Sequence, residues 1–87
     1  MHKSQKVLLE DLKTAAKQVV VGGEYYHYKN PDNRYKVLQL AITEADETVC
    51  VIYQALYGEM LTFVRPLKSW LDKVEWQGKT VNRFTKI

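Results

Sequence analysis

The period of the hydrophobic pattern changes once along this chain, at Gly22-Gly23. Four apolar residues before the glycines recur at the spacing of one helix face: Leu8, Leu12, Ala15 and Val19. They predict an amphipathic helix over residues 4–20, with Ser4 as its N-cap and the glycines at its end. After the glycines, apolar and polar residues alternate with the period of two that is typical of strands. We therefore expect an N-terminal helix in residues 1–21 and a β domain in residues 22–87.

Short antiparallel strands joined by tight turns are predicted for the β domain. The predicted strands are residues 24–29, 34–43, 48–57, 61–65, 74–76 and 79–84. The connections include the turns at residues 30–33, 44–47 and 77–78 and a helical turn that Pro66 opens. Strands 34–43 and 48–57 are apolar on both faces, which favours a sheet that curls into a small barrel, with the helix over an open side. By analogy, a helical turn before the last strand is typical of an SH3-like barrel.

Composition excludes several classes of protein. The 87 residues carry a net charge of +3, with basic ends and an acidic middle. A basic rim is able to meet phosphate, but no run of like charge exists, so a mixed, solvated surface is the preferred interpretation. No apolar stretch is long enough to span a membrane, and the N-terminus does not resemble a signal peptide. Cys50 is the single cysteine and cannot form an internal disulfide, so we expect a buried, unreactive thiol in a cytoplasmic protein.

No cofactor or metal site is predicted. His2 is terminal, Cys50 stands alone, and no set of His and Cys residues has the spacing of metal ligands. Gly22-Gly23 follows a helix instead of leading into one, so it does not form a phosphate-binding loop. Neither the cysteine nor a serine has a neighbouring base in the sequence, so an enzyme is not favoured.

Five segments of the β domain follow one another in a recognisable order. They are Gly23-x-Tyr25-x-His27-Tyr28-Lys29, Tyr35-Lys36-Val37, Val51-x-Tyr53-x-Ala55-Leu56-Tyr57-Gly58, Val64-Arg65-Pro66-Leu67 and Arg83-Phe84. In order and spacing, about residues 21–87 resemble the bacterial domain-of-unknown-function family 1653. The resemblance implies an SH3-like barrel, and it implies no established activity, cofactor or partner. Many members carry a His-Ser-Glu-Thr box at the second turn, where this chain has Thr43-Glu44-Ala45-Asp46.

Polar and aromatic side chains of three predicted strands form one candidate binding site. Its residues are Tyr25, His27, Tyr53, Tyr57 and Arg65. His27 is in register with Tyr25 and is interpreted either as a polar anchor or as a core histidine bonded to a backbone carbonyl. Arg65 is suited to hold a carboxylate or phosphate by two hydrogen bonds, or to fix the helical turn by bonding loop carbonyls. Tyrosines at period two are more often core residues, although small barrels also bind peptides or bases on exposed aromatic grooves.

We therefore predict a non-catalytic binding module that recognises a protein or peptide through this cluster. The alternative is nucleic-acid binding through basic residues: Lys29, Arg34, Lys36 and Arg83. A third class, a small-molecule-binding or hydrolytic domain, depends on His27 and Arg65 alone. No membrane contact is expected, and the oligomeric state stays open. For the core, we expect Ile52, Leu56 and Trp70 to be buried.

Overall fold

The computed structural model describes residues 2–87, which form a mainly β fold with antiparallel sheets. Its helices are α1, Gln5–Ala16, and the one-turn α2, Leu67–Trp70. Its strands are β1 (Glu24–His27), β2 (Asn30–Thr43), β3 (Thr48–Ala55), β4 (Thr62–Pro66), β5 (Lys73–Trp76), β6 (Lys79–Asn82) and β7 (Phe84–Lys86). The prediction of a mainly β, antiparallel fold with an N-terminal helix is confirmed.

Five strands form the main sheet, in the order β4-β3-β2-β1-β7, and β5 pairs with β6 in a separate hairpin. Every neighbouring pair is antiparallel. β4 and β7 are the edges of the main sheet, and within residues 2–87 no ladder joins them, so the sheet is open. The closed SH3-like barrel expected from the sequence is therefore not confirmed. The edge strands are short, and Pro66 in β4 has no N–H to donate to a further strand.

The first helix begins where the sequence predicts and ends earlier. The Ser4 hydroxyl accepts a hydrogen bond from the Val7 amide at 3.2 Å, which confirms the predicted N-cap. The last helical residue is Ala16 instead of residue 20. The chain leaves the helix before the β-branched run at residues 19–21, whose side chains lose rotamer freedom in a helix. Val19 lies beyond the helix and is nevertheless fully buried in the core.

The turn between the first two strands lies earlier than predicted. Residues 30–33, predicted as a turn, are the beginning of β2, and the turn itself is Tyr28-Lys29. The β1–β2 register shifts between Tyr26 and His27. Residues 30–33 therefore belong to β2 at an irregular part of the β1–β2 pairing. Residue preference alone does not reveal such a shift, because the pairing partner decides where the ladder starts.

The C-terminal strand prediction also needs correction. Residues 79–84 are predicted as one strand, but the chain bends at Arg83. β6 ends before this bend in the hairpin with β5, and β7 follows it and pairs with β1. β3 ends at Ala55 instead of residue 57, because the chain turns into Gly58, whose φ is 58°.

The second strand does not bury both of its faces. Val37 is fully buried, whereas the neighbouring Leu38 is 41% exposed. A register shift between Val37 and Gln39 changes which residues face the core, and Leu40 packs against it beyond the shift. The prediction of two apolar, buried faces is therefore wrong for this strand.

One face of the main sheet carries the core. Its buried residues are Val19, Tyr25, Val37, Val51, Tyr53, Trp70 and Phe84. The rings of Trp70 and Phe84 stack with centroids 3.8 Å apart, and Trp70 is 3% exposed, which confirms that it is a core residue. Cys50 is buried, as predicted. The prediction that Ile52 and Leu56 are buried is wrong, because both are only half-buried. The side chain of Ile52 lies on the sheet face opposite that of its core neighbours, and Leu56 comes after the end of β3.

The helix α1 packs on the chain's own sheet, against β2 and β3. Ala15 is fully buried, and Leu8 and Leu12 are half-buried. The Lys3 amide donates to the Glu47 carboxylate at 3.1 Å, which ties the start of the helix to the β2–β3 turn. In the part of the chain that the structure describes, no helix has the length and apolar character needed to cross a bilayer.

Candidate binding site

A cavity of about 280 Å³ opens on the core face of the main sheet, beside the edge strand β4. Six residues line it and define the arginine pocket: His27, Tyr35, Tyr53, Phe63, Arg65 and Phe84. In the β3–β4 ladder, Tyr53 lies opposite Phe63. In the β1–β7 ladder, His27 lies opposite Phe84. Because residues two apart on a strand share a face, β4 presents both Phe63 and Arg65 to this cavity.

Arg65 is held on one side and unpaired on the other. Its Nη1 donates to the Ser69 hydroxyl on α2 at 3.0 Å, and its Nε lies 3.5 Å from the Tyr53 hydroxyl. The guanidinium carbon lies 5.4 Å from the centroid of the Phe84 ring, at the distance of a cation–π contact. Among residues 2–87, no carboxylate forms an ion pair with Arg65, and its Nη2 makes no hydrogen bond. The contact with α2 therefore runs through a side-chain hydroxyl and not through a loop carbonyl.

His27 is half-buried and is held by an amide, not by a backbone carbonyl. Its Nδ1 accepts a hydrogen bond from the Lys29 amide at 3.3 Å, so the neutral ring carries its proton on Nε2. The ring meets Phe84 edge-to-face at 5.1 Å. Burial lowers the pKa of His27 below its ordinary value of 6.5. Nearby positive charges act in the same direction on this pKa: Arg65, Arg83 and Lys29.

Two of the predicted site residues lie outside the pocket. Tyr25 is 5% exposed, its ring packs edge-to-face on Trp70, and its hydroxyl accepts a hydrogen bond from the Val20 amide at 2.9 Å. It is a core residue that also fixes the chain after α1. Tyr57 is exposed, and its hydroxyl shares a hydrogen bond of 2.5 Å with that of Tyr35 at the pocket wall. Burial and this hydrogen bond raise the pKa of Tyr35 to about 12.

The pocket thus unites three of the five predicted residues with three others. His27, Tyr53 and Arg65 line one cavity, and Tyr35, Phe63 and Phe84 complete it. The position of Phe63 two residues before Arg65 is a sequence signal that points to it. Phe84 has no local signal, because its place depends on the pairing of β7 with β1.

Comparison with known proteins gives the family. The family model described as "Protein of unknown function (DUF1653)" matches residues 23–86. The chain belongs to the DUF1653 family. The crystal structure of a DUF1653 protein from Bordetella bronchiseptica is similar, with 29% sequence identity and a TM-score of 0.69 over 80% of this chain and 90% of that chain. No curated protein matches the chain. The family resemblance seen in the sequence is confirmed, and α1 precedes the matched residues.

The basic residues of the nucleic-acid alternative do not form one patch in this DUF1653 domain. Arg34 and Lys36 are exposed on β2, on the face opposite Tyr35. The Lys29 ammonium lies 5.9 Å from the Tyr28 ring in the β1–β2 turn. Arg83 is half-buried, its Nη2 lies 3.9 Å from a carboxylate oxygen of Asp72, and its buried Nε has no hydrogen-bond partner.

A larger cleft, of about 570 Å³, separates the β5–β6 hairpin from β1 and β7. We call it the hairpin cleft, and its apolar wall consists of Tyr26, Tyr28, Pro31, Trp76 and Val81. The rings of Tyr28 and Trp76 meet edge-to-face at 5.2 Å, and Lys73 also lines the cleft. Tyr26 alternates with the core-facing residues of β1, so this cleft lies on the opposite face of the sheet from the arginine pocket.

The arginine pocket combines polar and aromatic side chains. It offers N–H donors from a guanidinium and an imidazole between aromatic walls. Within residues 2–87, no hydrogen bond joins His27 to a serine or cysteine side chain, so the geometry of an activated nucleophile is not present. In the same residues, no three His, Cys, Asp or Glu side chains converge as metal ligands.

Proposed function

We propose that this DUF1653 domain is a non-catalytic binding module for an extended segment of a protein. The segment adds to the free edge of β4 and places one side chain in the arginine pocket. One observation carries the proposal: β4 is an edge strand and supplies two walls of the pocket, Phe63 and Arg65. A partner strand beside β4 lies within side-chain reach of the cavity, since neighbouring strands are about 4.8 Å apart.

The backbone of β4 supports strand addition. The Ala55 amide donates to the Leu61 carbonyl at 2.9 Å, which fixes the phase of hydrogen bonding where β3 meets β4. Because inward and outward groups alternate along an antiparallel strand, the amides of Thr62 and Val64 point away from β3. Unpaired N–H and C=O groups at a sheet edge are a template for another strand.

The side chains around this edge support the same proposal. Four large apolar residues are exposed on β4 and the loop before it: Met60, Leu61, Phe63 and Val64. The most exposed of them is Val64, at 65%. Large apolar side chains exposed around one edge strand are consistent with an interaction site in a small domain. A free small molecule is less well matched, because ligand cavities are typically about 300–1,000 Å³ and the arginine pocket is smaller.

Selection of peptides on the intact domain, followed by a pair of variants, tests the proposal. Val64→Pro removes one outward amide without touching the β3–β4 ladder, whereas Val64→Ala keeps the amide and removes the side chain. We expect Val64→Pro to weaken binding of a selected peptide about tenfold or more, and Val64→Ala to weaken it much less. Nuclear magnetic resonance (NMR) spectra of the variants check that the fold is retained. Equal affinities for Val64→Pro and the parent domain would sink the proposal.

A single-stranded nucleic acid is the second candidate. The observation that favours it is the hairpin cleft, where aromatic rings suited to stacking lie beside Lys73 and Lys29. Salt distinguishes the two functions. Nucleic-acid affinity falls steeply with salt concentration, because each neutralised phosphate releases counterions. Binding of an extended peptide through backbone hydrogen bonds depends on salt far less.

Two finer features of the molecule are also proposals. We propose that the domain is an SH3-like variant, a view supported by the one-turn helix α2 between β4 and β5. A crystal structure with β4 and β7 paired around a closed barrel would establish it, and one with an open sheet would not. We propose a cytoplasmic location, because the buried free thiol of Cys50 suits a reducing compartment. Fractionation of cells tests this location.

A further inference from the structure

We infer that the arginine pocket recognises a carboxylate, carried by an acidic side chain of the extended segment. The inference rests on the proposed function and adds the chemistry that selects the partner. It starts from Arg65, a half-buried guanidinium without an anionic partner among residues 2–87. A partly buried charge without an ionic partner loses some of its hydration, and a bound anion would offset that loss.

The arrangement of donors favours an anion over a neutral group. Arg65 keeps its Nη2 free, and the neutral His27 ring carries its remaining N–H on Nε2. Three cationic side chains, each from a different part of the fold, lie near enough to disfavour a positive charge on the imidazole. They are Arg65 of β4, Arg83 of the β6–β7 connection and Lys29 of the β1–β2 turn. The remaining polar side-chain groups at the cavity are the hydroxyls of Tyr35 and Tyr53. No acidic side chain lines the cavity.

Size and donor number favour a carboxylate over a phosphate. Only one guanidinium lines the pocket, because the second, Arg83, is directed toward Asp72. A single planar fork matches the two oxygens of a carboxylate, whereas phosphate groups on proteins are usually held by clusters of arginines. The aromatic walls, Phe63 and Phe84 among them, suit the methylene groups of a glutamate side chain.

Three small probes test the inference on the intact domain. They are the N-acetyl, N′-methyl amides of glutamate, glutamine and phosphoserine. The first two differ only in the carboxylate or amide offered to the pocket, and the third offers a phosphate on a side chain with one methylene. Binding is followed by NMR shifts of the pocket residues and by the pKa of His27. We expect the glutamate probe to bind about tenfold or more tightly than the glutamine probe. The bound carboxylate should also raise the pKa of His27, because it counters the surrounding positive charges.

Variants assign the effect to one side chain. Arg65→Gln should abolish the preference for glutamate over glutamine, and Arg65→Lys should retain part of it. Arg34→Gln is the matched control, because it removes an exposed arginine on the opposite sheet face, and it should leave the preference unchanged. If Arg65→Gln proves unfolded, the comparison of Arg65→Lys with the parent domain and the pKa response of His27 still decide.

The inference is overturned if glutamate and glutamine probes bind alike, if phosphoserine binds tenfold more tightly than glutamate, or if Arg65→Gln keeps the preference. Its failure is distinguishable from failure of the proposed function. Peptides that bind at β4 without an acidic residue would leave the proposed function intact and remove the inference. A glutamate preference that depends on Arg65, with no peptide binding at β4, would support carboxylate recognition by the pocket and contradict the proposed function.

Discussion

Phe84 belongs to the core and to the pocket at once. Its ring stacks on Trp70 at 3.8 Å, and the guanidinium carbon of Arg65 lies 5.4 Å from the centroid of the same ring. A substitution of Phe84 would therefore disturb both the stability of the domain and the shape of the pocket. Variants that probe binding are better placed at Arg65, whose side chain is half-buried and contacts α2 through one hydroxyl.

The first prediction compares two side chains that the sequence places in the core alike. Trp70→Ala should reduce the free energy of unfolding by about 3–5 kcal/mol, because it removes a nearly fully buried ring from a stacked contact. Leu56→Ala should cost only about 1 kcal/mol, because Leu56 is half-buried beyond the end of β3. Urea denaturation measures both values. Equal losses for the two variants would contradict this division between core and periphery.

The second prediction concerns the pH dependence of stability. The pKa of His27 is lower in the folded state than its ordinary value of 6.5, so the unfolded chain binds the proton more readily. The contribution of neutral His27 to stability is present above pH 6.5 and is lost as the pH falls through the folded-state pKa. His27→Gln should flatten this part of the pH profile. Urea midpoints of both proteins over the same pH series provide the measurement, and parallel profiles would refute the assignment.

At the residue scale, the sequence predicts chemical character better than position. The sequence groups His27, Tyr53 and Arg65, which line one cavity, because polar and aromatic types at period two share a face. Tyr25 has the same pattern and is a core residue, since its hydroxyl finds a backbone partner in Val20. Whether a tyrosine lines a pocket or fills a core depends on neighbours from distant strands, and alternation does not encode those neighbours.

The elements show where local rules hold and where pairing overrides them. The N-cap of α1, the turn at residues 44–47 and the hairpin turn at residues 77–78 lie where the sequence predicts them, because each depends on a few adjacent residues. The start of β2, the register shift after Val37 and the strand β7 were not predictable, because they depend on the partner strand. The open edge of β4 likewise follows only from the whole sheet order.

The third prediction concerns α1 and the segment that follows it. From the sequence, with the helix as an addition to a complete β domain, we expect that a chain without residues 1–20 folds but has lower solubility or a changed association state. In the structure, Val19 is fully buried in the core and the Val20 amide bonds to Tyr25. The chain that lacks residues 1–20 should therefore have a lower free energy of unfolding than the chain that lacks residues 1–16. We expect a difference of about 1.5–3 kcal/mol, the contribution of one buried aliphatic side chain. Urea denaturation of the two truncated chains tests this, and equal stability would show that Val19 is dispensable.

At the scale of the whole molecule, the two candidate surfaces lie on opposite faces of one sheet. The arginine pocket opens beside the edge strand β4, and the hairpin cleft lies under β5 and β6. Aromatic side chains line both, but the pocket is smaller and contains a guanidinium and an imidazole, whereas the larger cleft contains a lysine. The face on which a ligand binds therefore distinguishes the two proposed functions. Binding beside β4 supports the peptide-binding function, and binding in the hairpin cleft supports the nucleic-acid-binding function.

Amide hydrogen exchange in the presence of a selected peptide tests the central claim most directly. We expect the outward amides of Thr62 and Val64 to exchange more slowly in the complex, because they gain partners in an added strand. We expect no added protection for the amides of Tyr26, Tyr28 and Trp76 in the hairpin cleft. Protection confined to the cleft, with unchanged exchange along β4, would contradict the account.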